Sequence, residues 1–327
     1  MGSKNNTRSQ TNLKKIVVIG GGTGTFTVLS GLKKHPVHLS AVVSMADDGG
    51  SSGILREEFG ILPTGDVRRA LIALSSHQDK FLVKLFAYRF KEGGVNGHNF
   101  GNLILTALER VTGNFEDAVE KASHLLDIKN GAVLPVTLSD VRLFAELEDG
   151  NIIYGESNID IPKHDGSLGI KKVWLHPRAR TNPKAVKAIM EADAVILGPG
   201  DIYTSLIPNF LVGGINKAIQ KTKAKKIYVM NLMTKFGETH GFVAEDFLNV
   251  VESYLKKGVI DIMIMNSDMP DKNILKRYRN EKAFLVDEVF SNPEQVKPKV
   301  VRASLLRRGA FVRHDPDKLA SVIIRLI

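Results

Sequence analysis

A glycine-rich turn near the start of the chain has the composition of a phosphate-binding loop. It follows the strand-like run "KKIVVI" and precedes the helical pattern "FTVLSGLKK". Glycines let backbone amides approach an anion closely, and the N-terminus of the next helix attracts negative charge. The third glycine of the dinucleotide-binding pattern G-x-G-x-x-G is absent, because Thr25 or Thr27 stands there. We predict that this turn binds a phosphate-bearing ligand through Gly21, Gly22, Thr23 and Gly24.

Two adjacent acids follow the second strand-like run, in the stretch Asp47-Asp48-Gly49-Gly50-Ser51-Ser52-Gly53, which we interpret as a loop. An acid about 20 residues beyond a glycine turn is placed to bind ribose hydroxyls. Carboxylates beside phosphates also suit magnesium, and Asp48 is the candidate ligand of that ion. Because adjacent side chains point in different directions, we do not expect both acids to bind one ion. The sequence leaves the ribose and the magnesium interpretations open.

A third polar cluster combines "PTGDVRRA" with "GHNFGNLILTA". Asp66 has the character of a helix cap. Arg68 and Arg69 then fall in the first turn, where the helix dipole disfavours cations unless an anion answers them, so one of them is a candidate phosphate partner. His98 and Asn102 are four residues apart at a predicted helix start and would share one face.

A fourth cluster contains "LGPGDIYTSLIPN" and "NLMTKFGETHG", each at the end of a predicted strand. Asn231 and Thr234 belong to the second of these stretches. Ligands of open α/β sheets gather where parallel strands end, so these loops are expected to enclose the base, ribose or sugar of a nucleotide.

The elements that position these clusters alternate between strand-length apolar runs and amphipathic helices. This pattern predicts an α/β fold, a Rossmann-like three-layer sandwich with a mainly parallel sheet. "RLFAELEDGNIIYGE" predicts a hairpin, and "IPNFLVGGINKAIQKTK" predicts one helix. We expect a disordered lead over residues 1–12 and a single domain over 13–327, with a helical insertion near 66–128.

The composition and the absence of several known motifs argue against several classes of function. The 327 residues carry a formal net charge of +10 and no cysteine, which fits a reducing cytoplasm. The chain has no Walker A lysine motif, H-E-x-x-H helix, EF-hand loop or G-x-S-x-G elbow, which disfavours a zinc enzyme or a serine hydrolase. No nucleic-acid-binding module and no membrane-spanning run is recognisable, so neither partner is expected.

The ordered set "GGGTG", "ADDGGSSG", "GDVRRALIALS", "GHNFGNL", "LGPGDIYTSLIPN" and "NLMTKFGET" resembles the gluconeogenesis-factor family of YvcK-like proteins. A more distant resemblance is to 2-phospho-L-lactate transferase (CofD-like), a magnesium-dependent enzyme. The resemblance implies a cytoplasmic protein that binds UDP-sugars, notably UDP-N-acetylglucosamine. It also implies a role in growth on gluconeogenic carbon sources, cell shape and peptidoglycan synthesis, and it supplies no catalytic residue.

Matching the motifs residue by residue implies a binding set that adds Asn102, Asn209, Asn231 and Arg313 to the glycine turn, the aspartate pair and Arg68. The family usually has serine-leucine at Asp201-Ile202 and a glutamine at Lys235, so this chain departs from the pattern at both places.

Two functions follow from the sequence. The first is a nucleotide-sugar-binding regulatory protein, and the second is a magnesium-dependent transferase acting on a nucleoside diphosphate compound. A nicotinamide oxidoreductase is disfavoured by the missing third glycine. The sequence leaves open the sugar, a regulatory protein partner and a homo-oligomer.

Overall fold

The computed structural model describes residues 13–76 and 80–327, so the predicted N-terminal lead over 1–12 lies outside the described residues. Seven strands form one sheet in the order β10-β9-β8-β7-β1-β2-β3, with every neighbouring pair parallel. Three more form an antiparallel sheet in the order β5-β4-β6. The strands are β1 (Lys14–Gly20), β2 (Val37–Val43), β3 (Gly131–Pro135), β4 (Arg142–Leu147), β5 (Ile152–Tyr154), β6 (Ile170–His176), β7 (Ala194–Leu197), β8 (Lys225–Val229), β9 (Ile262–Asn266) and β10 (Lys299–Ala303).

Helices flank the large sheet. On one side α1, α3 and α13 pack together, and another group brings α8, α9 and α10 into contact. The helices are α1 (Gly22–Leu32), α2 (Gly50–Phe59), α3 (Gly65–Leu74), α4 (Lys80–Ala87), α5 (Phe100–Thr112), α6 (Phe115–Leu125), α7 (Glu156–Asp160), α8 (Pro183–Met190), α9 (Ile207–Phe210), α10 (Ile215–Lys221), α11 (Ala244–Tyr254), α12 (Lys272–Asn280) and α13 (Pro316–Leu326).

The central strands are hydrophobic on both faces because helices cover both faces of a parallel sheet. In β1 the five residues from Ile16 to Gly20 are all buried, and in β7 all four are. This confirms the predicted Rossmann-like three-layer architecture. None of the helices in the described part of the chain is long and apolar enough to cross a bilayer.

The described residues between β2 and β3 include the five helices α2 to α6. They cover the stretch near 66–128 where the sequence predicts a helical insertion. Because α3 also packs against β2 and β3, the first of these residues belong to the layer that covers the sheet.

Three local predictions differ from the structure. The stretch after β2 is a loop only as far as Gly49, because α2 begins at Gly50. The single helix predicted over 207–223 is two helices, α9 and α10, separated at Gly213-Gly214, where Gly214 has a φ of 99° that favours glycine. Strand β10 and helix α12 have no counterpart among the predicted elements.

Candidate functional site

A cavity of about 590 Å³ opens at the carboxyl ends of β1, β2 and β7. From β1 the sheet continues to β2 in one direction and to β7 in the other, which makes this edge the topological switch point of the sheet. The first residues of α1, α2 and α3 line the cavity, as does the turn after β7. Three helix N-termini therefore face one space, which favours anionic groups.

The glycine turn builds the floor between β1 and α1. Gly22 has a φ of 64°, in the left-handed region that glycine accommodates, and it begins α1. A Cβ on Gly24 would lie 2.0 Å from the carbonyl oxygen of Pro199, so only glycine lets the turn after β7 pack this closely. Gly22 and Thr23 line the cavity, whereas Gly21 is buried beneath it.

The backbone N–H of Gly22 already has a partner. It donates to Oδ1 of Asp66 over 2.8 Å, and Arg69 lies 3.4 Å from the same oxygen. Asp66 therefore does not cap α3 as its position in the sequence suggests: Thr64 is the N-cap residue, and the Asp66 carboxylate caps α1 instead. The side chain of Asp66 therefore occupies the backbone N–H of Gly22, which the glycine turn would otherwise present to a ligand.

Neighbouring Asp47 and Asp48 have different surroundings. Asp47 lines the cavity, and its Oδ1 accepts from the backbone N–H of Gly49 over 2.9 Å. Asp48 is not a lining residue: its two oxygens accept from the backbone N–H groups of Glu156 and Ser157 over 3.1 and 2.8 Å. Asp48 thus holds the first turn of α7, and the oxygens expected to bind magnesium are already in use.

Three arginine side chains place positive charge at the large cavity. Arg68, Arg69 and Arg89 line the cavity together, and Arg68 is 8% exposed. Burial, and then the charges of the other two guanidinium groups, lower the pKa of Arg68 to about 10, so it remains charged at neutral pH. Three cationic groups around one space suit a diphosphate, which accepts several charge-assisted hydrogen bonds.

Asn102 lies behind the arginine side chains that line the large cavity. It is 2% exposed, and its Oδ1 accepts from Nε of Arg68 over 2.8 Å, while its Nδ2 donates to Oγ of Ser51 over 3.2 Å. Asn102 therefore orients Arg68. His98 does not share a helix face with it, because α5 begins at Phe100; its Nδ1 lies 3.3 Å from Oγ of Ser51.

Acidic side chains crowd the same cavity. Burial and the charge of Asp66 raise the pKa of Asp47 to about 6, and burial also raises the pKa of Asp66. Burial, followed by the charge of Asp47, raises the pKa of Glu156 to about 9, so Glu156 keeps its proton at neutral pH. The cavity holds closely spaced carboxyl groups that a cation, or a polyhydroxylated ligand, would stabilise.

A smaller cavity of about 200 Å³ lies on the other side of the α1 N-terminus. Thr23 lines both cavities, and the smaller one also includes Gly24, Asn231 and Arg313. Its remaining polar lining residues are Thr27, Tyr278 and His314.

His314 has an open hydrogen-bonding position. It is 7% exposed, and its Nε2 finds no hydrogen-bond partner in the part of the chain that the structure describes. Burial lowers the pKa of His314 to about 4, so the imidazole is neutral at physiological pH. His314 directly follows the predicted residue Arg313, but Tyr278 belongs to α12, which has no counterpart among the predicted elements.

The eleven predicted site residues therefore fall into two groups. Seven line one or both cavities, namely Gly22, Thr23, Gly24, Asp47, Arg68, Asn231 and Arg313. The other four lie behind the walls, namely Gly21, Asp48, Asn102 and Asn209. Asn209 is fully buried, and its Nδ2 donates to the carbonyl oxygens of Ser205 and Leu206, so it supports the turn after β7.

Comparison with solved structures supports the same architecture. A protein from Bacillus halodurans, described as a member of the UPF0052 family, superposes with a TM-score of 0.90. It is 37% identical in sequence, and the match covers 95% of this chain and 99% of that one.

Sequence comparisons give the family. The family model of 2-phospho-L-lactate transferase CofD matches residues 16–306. A Nostoc sp. protein named "Putative gluconeogenesis factor" is 46% identical over 318 residues, which cover 95% of this chain and 68% of the relative. The Bacillus subtilis protein named "Gluconeogenesis factor" is 41% identical, over 96% of this chain and 98% of the relative. The chain belongs to the CofD family, and within it to the group whose members are named gluconeogenesis factors.

Proposed function

We propose that the protein binds a nucleotide sugar of the UDP-N-acetylglucosamine kind and acts in the cytoplasm as a regulatory binding protein. Its proposed role links carbon metabolism to cell shape and peptidoglycan synthesis. The observation that carries the proposal is the position of Thr23, which lines both cavities at the N-terminus of α1. A ligand with two chemically different ends joined by a diphosphate fits two unlike cavities that meet at an anion-attracting helix end.

Each part of such a ligand has a matching set of side chains. We assign the diphosphate to the region of Thr23, Arg68 and Arg69, where charge-assisted hydrogen bonds contribute roughly 1.5–3 kcal/mol each. We assign the uracil and ribose to the smaller cavity, where Tyr278 offers a ring and Asn231 and His314 offer hydrogen-bonding atoms. The sugar then faces the carboxyl groups of the large cavity, which accept from hydroxyls.

A regulatory role requires that the ligand bind two states of the protein differently. Helix α7 is an element of this kind, because it packs on the small antiparallel sheet and is held against the large cavity by two hydrogen bonds to Asp48. Binding of the nucleotide sugar would thus change the position of α7, and that position would depend on the supply of the ligand.

Titration calorimetry with UDP-N-acetylglucosamine, UDP-glucose, GDP and NAD tests the proposal. We expect saturable binding of the UDP-sugars with micromolar dissociation constants, equivalent to about −8 kcal/mol, and at least tenfold weaker binding of NAD. Absence of UDP-sugar binding, with the folded state checked by circular dichroism, would remove the proposed function.

A magnesium-dependent transferase is the second candidate, and the acids of the large cavity favour it. Asp47 and Asp66 both line the large cavity and are half-buried, burial raises the pKa of each, and each keeps one oxygen without a backbone donor. Magnesium commonly binds to one or two carboxylates plus substrate phosphates, so this pair fits the ion better than Asp48 does. A magnesium ion bound there would neutralise negative charge on a phosphate.

The two functions differ in turnover. Incubating the UDP-sugar with magnesium and candidate acceptors, and then assaying UMP and UDP, should give no product above a protein-free control if the protein is a binding protein. Catalytic release of either nucleotide would favour the transferase.

A further inference from the structure

Three carboxylates from separate segments meet at the wall of the large cavity, which Asp160 and Asp201 line. Asp160 ends α7, Asp201 follows β7, and Glu238 lies between β8 and α11. Their oxygen atoms lie within 4.8 Å of one another, and Glu238 is 2% exposed. Three close carboxylates need a cation, because buried charge without a partner is costly.

Lys235 supplies that cation from within the chain. Its Nζ lies 2.9 Å from Oδ2 of Asp201 and 3.0 Å from Oε1 of Glu238, and it also contacts Oδ1 of Asp160. An ammonium group has three N–H donors, so the three carboxylates use all of them. Burial by itself would lower the pKa of Lys235, but the charges of the three acids outweigh burial and raise the pKa above its usual range.

The same contacts connect two segments of the cavity wall. The carboxylate of Glu238 accepts from the backbone N–H of Tyr203 and from Oγ1 of Thr204, each over 3.3 Å. These residues belong to the turn after β7, whereas Asp160 ends the short helix whose first turn Asp48 holds. The ammonium therefore joins α7 to the turn after β7.

We propose that Lys235 is a positioning residue whose ammonium takes the place that a divalent cation would occupy among Asp160, Asp201 and Glu238. In that place it fixes α7 and the turn after β7 against each other, and so sets the shape of the large cavity. This inference goes beyond the proposed function, since it concerns the wall of the cavity and not the identity of the ligand.

The proposal predicts a gain as well as a loss on substitution. Lys235→Ala removes the ammonium and leaves three carboxylates at ligand distance from one another, which is the donor set of a hard divalent cation. The variant should bind one Mn²⁺ ion more per chain than the parent in an EPR titration. Its Tm should fall by about 5–10 °C in EDTA and recover in millimolar Mn²⁺.

Two controls separate this role from a general loss of structure. Lys163→Ala removes an exposed lysine that lines the same cavity, and it should change neither the Tm nor the number of Mn²⁺ ions. Lys235→Ala combined with Asp160→Asn should lose both the extra ion and the recovery of Tm.

Each result of the Mn²⁺ and Tm measurements either supports or contradicts the proposal. A Lys235→Ala variant with the parent's Mn²⁺ stoichiometry, or with a Tm that Mn²⁺ does not raise, would overturn the proposal. If the variant is recovered in soluble form only when Mn²⁺ is supplied, the proposal is supported, whereas aggregation with and without Mn²⁺ contradicts it. UDP-sugar calorimetry on the parent is a separate measurement, so failure of the proposed function leaves these readouts unaffected.

Discussion

In the large cavity most charged side chains already have hydrogen-bond partners within the chain, whereas the smaller cavity is lined by His314, whose buried Nε2 lacks a partner among the described residues. Asp66 accepts from Gly22 and from Arg69, and Asn102 holds Arg68. His314 lines the smaller cavity, and its buried Nε2 has no hydrogen-bond partner among the residues that the structure describes. A ligand entering the first cavity must exchange existing contacts, and a ligand entering the second adds a new one.

This difference bears on where affinity and response arise. An exchange of hydrogen bonds yields little net free energy, since each new bond replaces one that the chain already made. A buried donor or acceptor that gains its first partner contributes more. The smaller cavity is therefore expected to dominate affinity, and the large cavity is expected to respond to charge, pH and cations.

The largest effect should come from the smaller cavity. Arg313→Ala removes a cationic group beside Thr23 and should weaken UDP-N-acetylglucosamine binding at least tenfold, equivalent to about 1.4 kcal/mol. Calorimetry measures the affinity, and Arg308→Ala is the matched control, because Arg308 is exposed in the same loop but does not line this cavity. Equal affinities for the two variants would exclude Arg313 from the site.

A smaller effect should separate the two aspartates. Asp47→Asn should abolish any magnesium dependence of nucleotide binding, since it removes one of the two carboxylates that fit the ion. Asp48→Asn should keep that dependence and lower the free energy of unfolding by about 1–2 kcal/mol. The two carboxylate oxygens of Asp48 accept from two backbone N–H groups, whereas an asparagine side chain has only one acceptor oxygen. Nucleotide titrations with and without magnesium measure the magnesium dependence, and thermal unfolding measures the stability. If Asp48→Asn abolished the magnesium dependence and Asp47→Asn kept it, Asp48 would be the magnesium ligand.

A separate effect should appear in the dependence of stability on pH. The pKa of Glu156 is raised to about 9, so between its ordinary value and that pH the folded state binds more protons than the unfolded state. The stability of the parent therefore decreases as the pH rises through this window. Glu156→Gln removes the titration, so its Tm relative to the parent should increase from pH 5 to pH 9 in EDTA. A difference in Tm that stays constant with pH would show that Glu156 titrates normally.

The fold could be predicted from the sequence because a buried parallel sheet leaves a strong pattern. Strands such as β1 and β7 are continuous apolar runs, and turns rich in glycine and acids mark their carboxyl ends. Weakly patterned elements were missed: α12 has no buried residue, and β10 is half exposed. Tyr278 lies in α12, so the same weak pattern leaves part of the smaller cavity unpredicted.

Residue types predicted which segments meet at the site, but not which atom each side chain contacts. Asp47 and Asp48 are neighbours of the same type, and only the three-dimensional structure separates the lining residue from the one that holds α7. Asn102 and Asn209 likewise have side chains typical of binding residues, yet the amide of Asn102 and the amide nitrogen of Asn209 are used within the chain. Long-range hydrogen bonds of this kind have no signature in sequence spacing.

The carboxylate of Asp66 at the first amide of α1 has one further consequence. A phosphate that binds this amide must displace an oxygen of Asp66, so the protein carries an internal competitor for the ligand at this position. Competition of this kind lowers the net affinity and favours rapid release, because the amide is never left without an acceptor. Such a locus suits a ligand whose concentration is to be followed over time, rather than one that is to be retained.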